Sequence, residues 1–392
     1  MSTRAPQYDA VIVGARPAGA ATAMLLARRG HRVLVVDQER PGRDTLSTHA
    51  LMRVGVDQLR RWDLLGHVVA AGTPPVREVT FHYADEPVTI PVDEPLYAPR
   101  RTVLDPIIVA GARAAGADVR YGVRVEGVTR AGDGRVTGVV ARDRDGAPLH
   151  ARARVTVGAD GRTSPLARAV HAPLTRSAPS AGAVIYGYWS GVAASGYEWC
   201  FNHDRAGGLM PTNDGHVCVW VSAPAATMME HLRGDRERAV HELLRQTTAD
   251  VARRVRAGRR QSVLRGATNA VPNLTRRPWG AGWALVGDAG YHTDPLTAFG
   301  ISAALRDAEL LADALHVALT DPGRAAAALA AYERTRDDLG AGVFDATAAI
   351  STFAWDLPQV QRHHIALSAA MRQQTVALDA RARDRAAVLG SR

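Results

Sequence analysis

Lysine is absent from this chain: all 48 of its basic residues are arginine. That excludes any mechanism needing a Schiff base or a lysine adduct on the chain. Cysteine is nearly absent. Cys200 and Cys218 have no metal-ligand spacing and lie in apolar stretches, so buried free thiols are expected and no metal site. No apolar run approaches the length of a membrane span. The first strand begins within eight residues of the N-terminus, with no signal-peptide pattern, and a cytoplasmic location is the expectation. Neither an internal repeat nor a low-complexity segment is present. The net charge of +9 is scattered rather than gathered in a tract, and no nucleic-acid motif accompanies it. Nucleic acid is therefore not an expected partner; coding bias and some steering of phosphate-bearing cofactors account for the arginine.

What is present begins with Tyr8 to Asp37. Tyr8-Asp9-Ala10-Val11-Ile12-Val13 reads as a strand buried on both faces, running into Gly14-Ala15-Arg16-Pro17-Ala18-Gly19. Ala20 to Arg29 is strongly helix-forming, Gly30 closes it, and Arg32 to Val36 is a second buried strand ending on Asp37. This is a βαβ start. Its glycine turn opens a helix whose amides can hold a pyrophosphate, and its carboxylate lies 23 residues after Gly14, placed for ribose hydroxyls. In the G-x-G-x-x-G pattern the second glycine is here Arg16. Its guanidinium either reaches phosphate itself or turns out to solvent; the bland alternative for the whole segment is an ordinary βαβ unit.

The remaining chain changes period repeatedly. A polar loop is expected over Gln38–His49 and a helix over Leu51–Arg61. Val76, Val79, Phe81, Tyr83 and Val88-Thr89-Ile90 read as antiparallel strand pairing. Arg101–Ala115 is helical, Asp118–Tyr121 a strand, and Gly122–Ala141 a hairpin around Asp133-Gly134. A strand leads into Gly158-Ala159-Asp160-Gly161, and a short helix is expected over Ser164–Val170. Aromatic-rich strands fill Ala183–Ala223, helices Thr227–Leu232 and Arg236–Arg256, and a strand Gln261–Ala270. Trp283–Val286 is a buried strand ending at Gly287-Asp288, and helices cover Gly300–Ala318, Gly323–Ser351 and Gln359–Val388. The expected fold is α/β: a discontinuous Rossmann-like domain over 1–74, 100–178 and 270–335, an inserted antiparallel sheet domain over 75–99 and 179–269 for substrate, and a helical segment over 336–392. A cleft between the two sheets would take the reactive end of a long cofactor.

Together these motifs resemble the class A flavin monooxygenases of the para-hydroxybenzoate hydroxylase type, a superfamily that also holds geranylgeranyl reductases and halogenases. The resemblance covers residues 7 to 320 in order: Gly14, Arg16, Ala18 and Gly19 with Asp37; Asp160-Gly161; and Gly287-Asp288 followed by Asp294-Pro295 and Gly300-Ile301. It implies FAD as cofactor. It implies that Asp288 binds ribityl or ribose hydroxyls, that Pro295 lies beside the isoalloxazine, and that helix-start amides at Gly300-Ile301 face flavin N1 and O2. Arg101 resembles an arginine that contacts the cofactor. Arg53 matches a pyrophosphate-binding arginine, the alternative for each being a solvated helix residue. Only one dinucleotide fingerprint is present and paired redox cysteines are not, so NAD(P)H would dock transiently as reductant.

Three chemistries share this scaffold. The main reading is an NAD(P)H- and O2-dependent monooxygenase hydroxylating an aromatic or polyketide-like small molecule of secondary metabolism through a flavin C4a-hydroperoxide. Tyr186, Tyr188, Trp199, Phe201, Met210 and Trp220 on the second sheet offer pocket walls, or simply core; His49, Tyr291 and His292 are the polar candidates for substrate activation, beside Pro295. A halogenase would need a cavity lysine and a W-x-W-x-I-P stretch, and both are missing. Reduction of an isoprenoid double bond is the alternative. Tyr197-Glu198-Trp199-Cys200-Phe201 resembles the Y-x-W-x-F part of that branch's signature, but Asn202 and His203 replace the proline and lysine that should follow, while Leu209 to Gly215 fits better. A non-catalytic flavin-binding protein is the reading from a different class. Monomer and homodimer both remain open. The last helix is expected as a lid or dimer contact, and His363-His364 as no metal site, since neighbours on a helix diverge by about 100°.

Overall fold

The computed structural model describes residues 7–45, 47–268 and 271–390. Leu46 of the expected loop, Asn269 and Ala270 of the expected strand and the outer ends of the ranges 1–74 and 336–392 lie outside the described residues.

The first sheet has eight strands built around a parallel centre: Trp283–Leu285, Pro148–Gly158, Tyr8–Val13, Val33–Asp37 and Asp118–Tyr121 lie side by side in that order. Both faces of its first strand are covered, which is why Ala10, Val11 and Ile12 are all buried and read as an apolar run rather than an alternation. The helix Pro17–Ala27 packs on one face with all eleven residues buried. Small side chains and Pro17 at its first position let it approach closely. Helices Arg101–Ala114 and Gly300–Thr320 complete that face, while the hairpin Arg124–Arg130 and Val136–Arg142 extends the sheet through Pro148–Gly158 on the other side.

The second sheet also has eight strands and draws on two separated stretches of chain. Val76–Tyr83 and Glu86–Leu96 join Tyr197–Asn202, Arg205–Pro211, Val217–Pro224 and Gly182–Ser190, with Arg259–Arg260 and Arg265–Thr268 at the edge. It is not wholly antiparallel: Val76–Tyr83 runs parallel to Tyr197–Asn202. No hairpin connects those two strands, so nothing in the connection forces them to oppose. A third, three-stranded sheet joins Leu174–Ala178, Asn273–Arg276 and Tyr291–His292, none of which the sequence reading treats as strands. The expected helix Arg236–Arg256 is two helices, Arg236–Thr247 and Ala249–Ala257, because Thr248 is fully extended and heads the second.

Alternation along the second sheet sorts its two faces. Tyr186, Tyr188, Trp199, Phe201, Met210, Cys218 and Trp220 join the main core that continues from the first sheet. Ile185, Trp189, Cys200, Leu209 and Val219 face Leu243, Leu244 and Val251 on the outer helices. Both cysteines are buried free thiols. Behind the sheet, buried Glu198 accepts two bonds from Arg254, at 2.8 and 2.6 Å, and contacts His82 Nε2 at 2.9 Å. The last helix, Leu357–Gly390, crosses the core face. There His364 is buried against the rings of Phe81, Phe201 and Tyr83, its Nδ1 3.0 Å from the Tyr83 hydroxyl. That histidine is core rather than ligand.

Candidate active site: a cleft built from three glycine turns

A cavity of 680 Å³ opens where the ends of the central strands meet the loops that follow them, the position at which open α/β sheets take ligands. Its volume falls in the range of cofactor sites. Segments far apart in sequence line it, among them the Gly14 turn, the 159–163 turn, and the stretch from Asp288 to Ala304, with Arg101 and the strand Arg124–Arg130 beside them.

The first turn is shaped by backbone contact. Gly14 has φ +107°, and a Cβ there would lie 2.3 Å from the Ala159 carbonyl oxygen. A Cβ on Gly19 would meet the Gly14 oxygen at 1.9 Å. Gly14 lines the cleft, whereas Gly19 serves the packing beneath it. Ala18 also lines the cleft, and a Cβ on Gly287 would strike its methyl at 2.8 Å; Gly287 too is a close-approach residue rather than a wall. Asp37 ends its strand at the cleft, but its oxygens accept from the Ala15 and Glu39 amides, each at 2.8 Å. The carboxylate therefore also ties the turn together. Glu39, two residues on, lines the same end; an acid just past a strand end was the available signal for it.

Asp160 lines the second turn, where Gly161 adopts φ +80°. Its oxygens are held by the Ser164 hydroxyl at 2.6 Å and the Leu166 amide at 2.8 Å, so it caps the helix Pro165–Ala169. Burial raises its pKa against those hydrogen bonds. In the third segment Asp288 is half-exposed, with His292 Nδ1 at 3.5 Å. His292, Pro295, Gly300 and Ile301 line the cleft together with Thr293, which the sequence reading did not single out. Asp294 accepts from the Leu296 amide at 2.8 Å and from the Ser180 hydroxyl, fixing the turn at Pro295. Ala298 follows with φ +52°, an unfavourable conformation for a residue with a Cβ, held between Pro295 and the buried Phe299.

Two long helices point uncapped N-termini into this cleft. Pro17–Ala27 begins at Arg16 and Gly300–Thr320 at Phe299, and no side chain caps either. The free amides and helix dipoles form two sites of positive potential. Arg101 adds a buried guanidinium, oriented by two bonds to Asp105 at 2.6 and 2.9 Å. Two anion-favouring ends, with carboxylates at Asp37, Glu39 and Asp288 for hydroxyl groups, match a dinucleotide carrying a diphosphate in its middle and a reducible ring at one end. The residues fit FAD.

Other expected site residues lie elsewhere. Arg53 is not in the cleft lining: it pairs with Asp57 at 2.8 Å and Glu94 at 3.2 Å, its four-residue spacing to Asp57 giving it a local partner. Tyr291 points away; its hydroxyl donates to the Gly340 carbonyl at 2.8 Å, and burial raises its pKa. None of the six aromatic or methionine wall residues lines the cavity; all are core. Tyr186 donates to the Thr45 carbonyl at 3.0 Å. Tyr188 contacts His49 Nε2 at 2.5 Å, beneath the guanidinium of Arg100 at 4.3 Å from the ring centre. His49 is fully buried behind the lining residues Thr48 and Ala50, with φ +66°. Burial, then the nearby Arg101 and Arg100, pushes its pKa down to about 3, so it is neutral at physiological pH.

A fold with a dinucleotide cleft at the ends of a parallel sheet and a second sheet above it defines a flavoprotein oxidoreductase. The family described as FAD binding domain matches residues 7–347, and the chain belongs to it. The menaquinone reductase of Mycolicibacterium smegmatis is 30% identical over 341 residues, covering 80% of this chain and 76% of that protein. Digeranylgeranylglycerophospholipid reductase 2 of Methanopyrus kandleri is 25% identical over 85% of this chain and 83% of its own. Among solved structures, a variant of PqsL from P. aeruginosa superposes with a TM-score of 0.79 at 25% identity, over 92% of this chain and 99% of that one. The chain is thus an FAD-dependent oxidoreductase. No helix among the described residues is long and apolar enough to cross a membrane.

Proposed function

We propose that the protein is an NAD(P)H-dependent flavin monooxygenase that hydroxylates an aromatic or polyketide-like ring, one oxygen atom of O2 entering the substrate and the other leaving as water. Bound FAD supplies the transfer of two electrons from nicotinamide to oxygen. The observation that carries the reading is the end of the cleft around Pro295, Gly300 and Ile301. There an uncapped 21-residue helix offers amides to the negative charge a reduced flavin develops. Asp288 holds ribityl or ribose hydroxyls, and Asp37 and Glu39 the adenosine end. His292 is the polar group at the reacting end, and the neutral His49–Tyr188 pair backs the wall beside it. Tyr188, whose pKa burial raises, keeps its proton there.

Reduction of an isoprenoid double bond is the second reading, favoured by the two reductases that match most of the chain. The purified protein separates the readings. Bleaching of its yellow colour by NAD(P)H, followed by substrate-dependent O2 uptake, is the hydroxylase result. Bleaching with alkene saturation and no substrate-dependent O2 uptake is the reductase result, and a colourless protein that takes up no FAD removes both. Asp288→Ala is expected to weaken FAD binding roughly tenfold or more, the scale of a hydrogen bond to a charged group. A titration of flavin fluorescence showing an unchanged Kd would remove Asp288 from the site.

A further inference from the structure

The position that breaks the glycine pattern carries an unpaired charge. Arg16 caps no carboxylate: among the described residues no Asp or Glu lies within ion-pair distance of its guanidinium, and it makes no side-chain hydrogen bond. It is half-buried in the cleft lining, on the same wall as Arg101. Burial and then the repulsion of Arg101 push its pKa down, while Asp105, Asp37 and Glu39 act weakly in the other direction. A guanidinium is not deprotonated in a protein, so this is uncompensated charge rather than titration.

The backbone at residue 16 does not need a glycine. Its φ of −85° and ψ of −176° are ordinary extended values, unlike the +107° at Gly14. In the same turn the backbone donors left for a phosphate are the first amides of the helix, at Ala18 and Gly19. The Ala15 amide is spent on Asp37, the Gly14 amide bonds to the Val36 carbonyl at 2.8 Å, and Pro17 has none. Where the fingerprint brings bare backbone to the diphosphate, this chain brings a side chain with five donors.

We propose that Arg16 is a side-chain clamp for the cofactor diphosphate, acting with Arg101 beside the free amides that open the helix Pro17–Ala27. The inference rests on the FAD reading and assigns a contact that the glycine fingerprint does not contain. Without a bound phosphate the two guanidiniums repel, and a diphosphate reconciles them, so the clamp opposes apo stability and favours the loaded form. It also makes capture of the cofactor depend on ionic strength, because long-range attraction between exposed charges is screened by salt.

The test is the Arg16→Gln variant, with Arg16→Lys beside it, measured for FAD binding by flavin fluorescence at low and high salt and for melting of the apo protein. Arg16→Gln is expected to bind FAD roughly 10- to 100-fold more weakly, as for loss of a charge-assisted hydrogen bond. Its salt dependence flattens and its apo melting temperature stays equal or rises. Arg16→Lys keeps the charge without the fork and falls between. ADP is the second probe: it is expected to raise the melting temperature of the apo wild type where adenosine does not, and to lose that effect in Arg16→Gln. Unchanged FAD affinity and salt slope in Arg16→Gln overturn the clamp, as does weakened binding accompanied by a lower apo melting temperature and an unchanged salt slope, the mark of a structural residue. A wild type that responds to ADP yet takes up no FAD keeps the clamp and removes the flavin reading; one that responds to neither removes both.

Discussion

Gly14→Ala is expected to strip the protein of FAD and to lower its stability by about 2–5 kcal/mol. Two costs combine. The residue sits at φ +107°, where a Cβ is strained by about 1–2 kcal/mol. The added methyl also lands 2.3 Å from the Ala159 carbonyl oxygen and 2.8 Å from its carbon. Neither atom is the end of a flexible side chain, so relief requires the first turn and the 159–163 turn to separate, at roughly 1–3 kcal/mol for overpacking. That separation widens the cleft at the point where both turns line it. Urea unfolding read by tryptophan fluorescence measures the first effect, and the flavin-to-protein ratio of the purified variant the second. Gly66→Ala is the control: nothing lies within 4 Å of its Cβ and it is helical, so a small gain of up to about 1 kcal/mol is expected. A Gly14→Ala protein with wild-type stability and full flavin would mean that the two turns do not meet as described.

Acid is expected to destabilise the protein steeply from about pH 6.5 downward. His49 and His364 are both buried, and burial holds each near a pKa of about 3. In the unfolded chain each returns to about 6.5. Between those values the unfolded state binds protons that the folded state refuses, so stability falls as pH falls and levels off below about 3. Near pH 5 the loss is roughly 2 kcal/mol for each histidine. Glu198 adds to it lower down. Burial alone would raise its pKa, but Arg254 and His82 outweigh that and hold it below the usual carboxylate range, so its contribution, present above the unfolded pKa, is lost as pH falls through the folded one. Urea midpoints from pH 7.5 to 5 measure the slope. His364→Phe leaves the Tyr83 hydroxyl without its partner and lowers the baseline, yet it should flatten the slope by about half. A variant with the wild-type slope would show that His364 takes up a proton without unfolding.

The sequence made the first βαβ unit readable because the constraints there are local. Two apolar runs, a glycine needing positive φ and an alanine-rich helix lie within thirty residues. The six wall residues of the second sheet were legible only as lying on its strands; in the structure they share the face that joins the main core. Whether that face met a cavity or a core was not readable, since it depends on the helix Leu357–Gly390 and its His364. Arg53 shows the same limit: its partner Asp57 is four residues away, but Glu94 comes from a strand forty residues on. Tyr291 looked like a polar group beside a motif, and the carbonyl that takes its hydroxyl belongs to Gly340 in a helix whose packing no local pattern announces. The parallel pairing of Val76–Tyr83 with Tyr197–Asn202 escaped for the same reason, since no turn links them.

The place of Trp283–Leu285 beside Pro148–Gly158 has a consequence for the newly made protein. The third wall of the cleft follows directly from that strand, so a nascent chain lacks a complete FAD site until well past residue 285. At about 5–20 residues per second this is roughly 15–60 s of synthesis. Throughout that time the N-terminal strand can pair with Val33–Asp37 and then with Pro148–Gly158, but no cofactor can be gripped from both sides. A complete flavin site therefore exists only after most of the chain has been made, and the dinucleotide locks together segments translated almost 300 residues apart.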